Sequence, residues 1–458
     1  MERDLTQGRF GAHMRALLPG AVGLQILFAL FEVVDAFWVG RLAQPGPELA
    51  ALAVGTYGLW CLFSLEHMVV TAVLAVVSQS VGAGMEDRAR RAAARGFVFA
   101  VLLWGVALVV GLPLRDLVVA WTRVEPGAAQ LSRDYLGVLL GGALSIFGFG
   151  TVDAVFRARG DTKSPVFLLA GALLLNLALD PLLVLGWGPV AGHGVVGAAW
   201  ATVACRMAAV LAGLLLLVRR GHVSFRPWGR MLLRSEYVRF LKIGAPAAGG
   251  GLLYCLTFLG LASFLAPFGD EALGAFAIGQ KIESISWASL VGVATVAAAW
   301  VGQNLGAGHP MRARRGAWLA VGLGSALALM ASGVFVFFRE PLLQFFAPGQ
   351  EVLHGYGRTY LVIVALSQVP LAVEIVLYEA FGGAGDTLPP MWIISVFTLA
   401  RLPLAWWLCD GLGWGAEGVF WSVTITTTVK GALMAWSFSR DRWIARGRGM
   451  LASIAGED

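Results

Sequence analysis

Apolar runs of roughly 20 residues, long enough to cross a hydrocarbon core, recur along this chain from Leu17 to Phe438. Twelve such runs predict helices at about 17–40, 50–80, 94–118, 134–157, 165–186, 194–218, 240–266, 272–304, 314–338, 356–381, 390–409 and 416–438. Backbone polar groups in hydrocarbon must be satisfied within the chain, so long apolar runs become helices. The period-two alternation of a membrane barrel is absent. The expected fold class is all-α, a polytopic membrane protein with twelve transmembrane helices.

Composition agrees. Of 458 residues, 58% are apolar and 14% charged, with a mean hydropathy of +0.75, whereas soluble domains carry about 25% charged residues. That excludes disorder, a coiled coil and an ordinary soluble enzyme. Arg3, Arg9 and Arg15 precede a run that continues through Glu32 and Asp35, which reads as a first helix and not as a cleavable signal. Cys61, Cys205, Cys255 and Cys409 all fall inside apolar runs, with no C-x-x-C pair, and read as packing residues. His67 stands alone and the other five histidines lie outside the spans, so no nucleophile–base or metal set supports an enzyme. The segments Gly82-Ala-Gly84 and Gly306-Ala-Gly308 lack a Walker lysine, and ATP binding is not supported.

Most of the 34 Lys and Arg residues fall in the N-terminal stretch, alternate loops and the C-terminal tail. The positive-inside rule then places both termini in the cytoplasm, as an even helix count requires. These basic clusters read as topology determinants, and no nucleic-acid partner is expected.

The chain also repeats itself. Ser78-Gln-Ser-Val-Gly-Ala-Gly84 returns as Gly302-Gln-Asn-Leu-Gly-Ala-Gly308, Gly160-Asp161-Thr162 as Gly385-Asp386-Thr387, and Gly197-Ala-Ala-Trp200 as Gly418-Val-Phe-Trp421. Marks in the same order at nearly constant spacing predict two homologous six-helix lobes, residues 1–218 and 240–458, joined by a basic cytoplasmic linker at 219–239. An even number of helices per unit makes the repeats parallel, an arrangement known among transporters. Two similar bodies that rock about a central cleft supply the mechanics of alternating access.

Ionisable groups inside spans are expensive and mark functional positions. Glu32 and Asp35 are three residues apart and share a helix face. Asn176 and Asp180 are four apart, and Pro181 after them predicts a bend, because proline cannot donate to the carbonyl at 177. With Thr202 in the next helix, Asp35, Asn176 and Asp180 offer a hard oxygen set suited to Na⁺ or a shared proton. The bland alternative is a structural hydrogen-bond network. Glu32, Glu66, Glu283 and Glu374 are candidates for a substrate cavity, and Lys281 is a candidate to pair with Glu283 or Glu374. Arg206, Arg401 and Lys430 read as nearer helix ends, where long side chains snorkel. Asp153 and Arg157, at i and i+4, read as an internal ion pair. Among the aromatic residues Trp60, Phe63, Tyr254, Phe258, Trp287 and Trp300 are candidates to line a cavity for flat cations.

Taken with Phe37-Trp38-Val39-Gly40, Phe156-Arg157-Ala158-Arg159-Gly160-Asp161-Thr162, Asn176-Leu-Ala-Leu-Asp180-Pro181 and Gly382-Gly-Ala-Gly-Asp386-Thr387, these marks resemble the multidrug and toxic-compound extrusion (MATE) family over nearly the whole chain. The resemblance implies twelve helices in two lobes and exchange of H⁺ or Na⁺ for organic, often cationic, compounds. It implies an N-lobe ion site at Asp35, Asn176, Asp180 and Thr202. The positions matching the C-lobe acids of the NorM-like branch are near Tyr254 and Leu371, neither acidic, which places the chain closer to the DinF-like or archaeal-type branch. The expected function is a secondary antiporter in a bacterial or archaeal inner membrane. It uses H⁺ or Na⁺ and no cofactor, takes a small organic substrate and works as a monomer among membrane lipids with no obligate protein partner. A lipid or lipid-linked saccharide flippase is the alternative.

Overall fold

The computed structural model describes residues 3–42, 45–122, 125–187, 190–226 and 234–455. The chain is helical almost throughout: α1 (Phe10–Val39), α2 (Pro45–Gly82), α3 (Glu86–Thr122), α4 (Pro126–Gly141), α5 (Ala143–Ala158), α6 (Lys163–Asp180), α7 (Gly194–Arg219) and α8 (Arg234–Leu265). There follow α9 (Asp270–Gly306), α10 (Pro310–Phe337), α11 (Arg339–Phe346), α12 (Glu351–Ala365), α13 (Gln368–Ala384), α14 (Leu388–Trp406), α15 (Ala416–Ser439) and α16 (Arg442–Ala455). Among the described residues, nine helices are each long and apolar enough to cross a membrane, and two more spans are bent helix pairs. The twelfth expected run is α15, 24 residues long, which carries Glu417 and Lys430. The all-α polytopic architecture is the one expected.

Two spans are broken where continuous helices were expected. Helices α4 and α5 meet at 42° and α12 and α13 at 55°. The first break falls at Gly141-Gly142, a pair of poor helix formers. At the second, carbonyls released by the break take donors from neighbouring helices. The Ser332 hydroxyl donates to the Ala365 carbonyl at 2.7 Å and the Thr424 hydroxyl to the Ile363 carbonyl at 3.0 Å, as a membrane interior demands. Pro181 does not simply kink its helix: α6 runs to Asp180 and passes into a π-helical turn at Pro181–Leu185. A two-residue hairpin, Gly186–Trp187 with Val190–Ala191, closes the connection to α7.

Two units partition the chain. One comprises Met1–Asp4 and Pro19–Ala248, the other Leu5–Leu18 and Gly249–Asp458; they are called the N-lobe and C-lobe below. The start of α1 therefore belongs with the second half of the sequence. Asn304 donates to the Leu5 carbonyl and Gln303 accepts from its N–H. Of the expected linker at 219–239, residues 227–233 lie outside the described residues, and 234–239 already form the first turns of α8.

The repeat is visible in packing. A Cβ at Gly55 would strike the Tyr135 ring, and one at Gly279 would strike the Tyr360 ring. Each lobe thus needs a glycine where a tyrosine crosses close to a helix backbone, a contact type that small residues allow in membrane bundles. In the C-lobe, Phe276 stacks between Phe258 and Phe420, with centroids at 5.3 and 6.2 Å, so the half-buried Phe258 has one face against the core. Trp300 is also buried, against Phe10 and under the Arg312 guanidinium. Helix α3 exposes Leu102, Val109 and Leu117, an outer surface suited to lipid.

Candidate functional site

Three N-lobe helices converge on one acidic group. Helix α1 presents Asp35, the end of α6 presents Asn176 and Asp180, and α7 presents Thr202; all four are buried, Asn176 and Asp180 completely. The four-residue spacing of Asn176 and Asp180 puts the Asn176 amide 2.9 Å from Asp180 Oδ1, as donor. The Thr202 hydroxyl lies 3.1 Å from both Asp35 carboxylate oxygens. The Asp35 and Asp180 carboxyls stand close enough to act on each other. Ionised carboxylates only accept and repel each other, so a proton shared between them joins what would otherwise be two like charges. No donor meets Asp180 Oδ2 or Asn176 Oδ1. This group is able to hold one proton between two acids, or a small cation among four oxygens.

The remaining candidates separate. Glu32, one turn from Asp35, is exposed. Glu66 is half-buried, its carboxylate occupying the place of a Cβ at Gly150. Asp153 and Arg157 form the expected ion pair, 2.6 Å apart. In the C-lobe, Glu283 accepts from the Tyr360 hydroxyl at 3.0 Å and the Gln368 amide at 2.8 Å. Glu374 is buried against Lys430 at 2.7 Å. Lys281 is therefore not the bridge to either acid. Two residues from Glu283 on one helix, it points to a different side, and the cation reaches Glu374 from α15. Tyr254 and Trp287 are exposed at 37% and 41%.

Arg206, Arg401 and Lys430 correct the sequence reading. All three are buried, at 3–4% exposure, so none snorkels out. Position 206 lies in mid-helix, and that was the signal overlooked. The Tyr360–Gln368–Glu283 network was missed because its members lie far apart in sequence.

The repeated Gly-Asp-Thr marks form anchored turns beyond the helix ends. Gly160 and Gly385 take φ of +70° and +76°, a region that favours glycine. Asp161 accepts from the Ser164 N–H and hydroxyl and from Arg220 at 2.9 Å. Burial alone would raise its pKa, but those bonds outweigh it and hold the carboxyl below the ordinary 3.8. At Asp386 burial prevails over the Arg446 partner, and the pKa is raised.

Comparison with known proteins gives this architecture a lineage. Residues 21–182 and 246–407, more than half of the chain, match the family described as MatE, once in each lobe. The chain belongs to the MatE family. It is a secondary, ion-coupled transporter embedded in a membrane, and not an enzyme. Similar sequences include probable multidrug resistance proteins named NorM from Thermotoga maritima, 26% identical over 94% of this chain and 93% of that one, and from Deinococcus radiodurans, 28% identical over 93% and 95%. The crystal structure of the Vibrio cholerae MATE transporter VcmN in the bent form superposes with a TM-score of 0.86 at 20% identity, covering 96% of this chain and 98% of that one. These relatives overturn the expected placement nearer the DinF-like or archaeal-type branch: the MatE relatives are predominantly NorM-like. A few acids at one site weigh little against similarity spread over more than 400 aligned residues.

Proposed function

We propose that this MatE protein is an antiporter that exports organic, cationic or amphiphilic compounds in exchange for H⁺, with Asp35, Asn176, Asp180 and Thr202 as the coupling site. The observation that carries the reading is the burial of two neighbouring carboxyls from different helices, Asp35 held by Thr202 and Asp180 by Asn176. Like charges this close cannot both stay ionised, so the pair is built to take up one proton and release it. Release drives transport only if the conformations differ in their affinity for the proton. Na⁺ is the competing ion for the same oxygens. Glu32, Glu66, Tyr254, Glu283 and Trp287 are the side chains from which a substrate surface is drawn. The protein works as a monomer in an inner membrane with both termini in the cytoplasm, its two lobes acting as one transport unit.

The test is flux of a fluorescent organic cation in proteoliposomes, with pH and sodium gradients imposed separately. A pH gradient is expected to drive counter-flow, and Asp35→Asn and Asp180→Asn are each expected to abolish it. Flux driven by sodium alone would replace the proton by Na⁺. Gradient-driven flux that survives both substitutions would remove the site, and no flux in folded wild type would overturn the drug-export reading.

A further inference from the structure

Arg206 lies one turn beyond Thr202 on α7 and is buried. Its guanidinium stands 5.1 Å from the ring centre of Phe31, 5.4 Å from Phe63 and 5.7 Å from Phe28. Three aromatic faces attract a cation, but they accept no conventional hydrogen bond, and its Nε and Nη1 have no partner. A buried charged donor left unmet is strongly unfavourable. The charged and titratable groups facing it are Glu66 on α2, Asp35 and Glu32 on α1, and Tyr135 on α4. Beyond them lie the Asp153–Arg157 pair of α5, beside Glu66, and Asp180 of α6, beside Asp35. So acidic a surrounding repels an anionic ligand, which leaves the protein's own carboxylates as the alternative partners.

The C-lobe supplies an internal comparison. The two family segments correspond at a spacing of 225, which sets Arg401 opposite Asn176. The Gly197–Trp200 and Gly418–Trp421 marks, at a spacing of 221, set Thr427 opposite Arg206. Each lobe therefore has one arginine at this pair of positions, carried on opposite helices. Arg401 is fastened by hydroxyls, Nε to Thr426 at 2.9 Å and Nη2 to Thr427 at 3.3 Å. Arg206 has ring faces beside it and no partner for Nε or Nη1.

We propose that Arg206 is a tethered counter-cation of the N-lobe ion site. It rests in the Phe28–Phe31–Phe63 box while Asp35 and Asp180 share a proton, and it turns toward Asp35 and Glu66 when that proton leaves. The proposal rests on the coupling-site reading above. With the proton bound, the two acids together carry one negative charge; without it they carry two. A cation on a flexible stem within the same lobe offsets the second charge without water having to enter. The arginine sets how readily the proton is released and touches no substrate.

The test uses full-length protein in proteoliposomes and reads the pH at which proton-driven cation flux is half-maximal. Arg206→Gln is expected to raise that pH by about one unit, a nearby-charge effect, and to slow turnover, while Arg206→Lys stays within about threefold of wild type in proton concentration. Phe31→Leu keeps the charge but removes one wall of the box, so its profile is expected to move the opposite way. Should Arg206→Gln not be recovered folded, Phe31→Leu decides between the two roles. A profile identical to wild type in folded Arg206→Gln, or in Phe31→Leu, would reduce Arg206 to a packing residue, even with Asp35→Asn and Asp180→Asn inactive. Flux that persists in those two aspartate variants would overturn the coupling site and the proposal with it.

Discussion

Glu374 and Lys430 offer a decisive perturbation, because the same pair can be read as a substrate contact or as a brace. Both side chains are buried, 2.7 Å apart, on α13 and α15 of one lobe. Glu374 Oε2 has no other partner, so the carboxylate depends on Lys430. Removing one member of a buried pair leaves an uncompensated charge and costs about 3–5 kcal/mol. Arg401 lies close enough to act on Lys430, and that splits the two single variants. Lys430→Met leaves Glu374 buried and unpaired and should cost about 3 kcal/mol, whereas Glu374→Gln leaves Lys430 unpaired beside the like charge of Arg401 and should cost about 5 kcal/mol. Replacing both with methionine keeps volume and removes both charges, so the double variant should lie within about 1 kcal/mol of wild type. Thermal unfolding in detergent reads this as a shift of roughly 2–4 °C per kcal/mol for a lobe-sized unit. The double-mutant cycle then isolates the coupling. Additive costs, with the double variant worse than either single, would refute the brace. So would a stable double variant that no longer moves the dye, which would return Glu374 to the substrate surface.

Two further outcomes follow from the geometry. Gly279→Ala places a methyl group in the Tyr360 ring and can be relieved only by moving a tyrosine bonded to Glu283. A loss of about 2–3 kcal/mol is expected by unfolding in detergent, and a variant as stable as wild type would show the crossing to be slack. Asp161→Asn tests the turn after α5. The folded pKa of Asp161 lies below its unfolded value of 3.8, so the unfolded state binds more protons and the stabilisation is complete above that value. The stability gap between wild type and Asp161→Asn should be full at neutral pH and close as pH falls below about 4 through the folded value. A gap that widens on acidification would contradict the assignment.

Much of this protein is legible along one dimension. Span length, the absence of period-two alternation, the internal repeat and the four-residue spacing of Asn176 and Asp180 each follow from local rules: rise per residue, helix period and the cost of an unpaired backbone in lipid. Those rules hold wherever the segment sits, so the helices and the acids worth watching could be named from sequence. Pro181 shows the limit even locally. A break was predictable, but the neighbouring packing decided that it became a π-helical turn.

Partnership between distant residues was decided only in three dimensions. Nothing in the spacing of Glu374 and Lys430, of Glu283 and Tyr360, or of Arg206 and its three phenylalanines foretells contact. Each pair is brought together by helix rotation and register, which the summed packing of a whole lobe selects. Lys281 was matched to the wrong acids because proximity in sequence stood in for a shared helix face. Arg206 was set aside because a long basic side chain can reach the interface in principle, and only burial on all sides removes that freedom. Sequence determined which charges the membrane must accommodate; tertiary structure decided which partners accommodate them, because electrostatic energy depends on distances that the chain acquires only when folded.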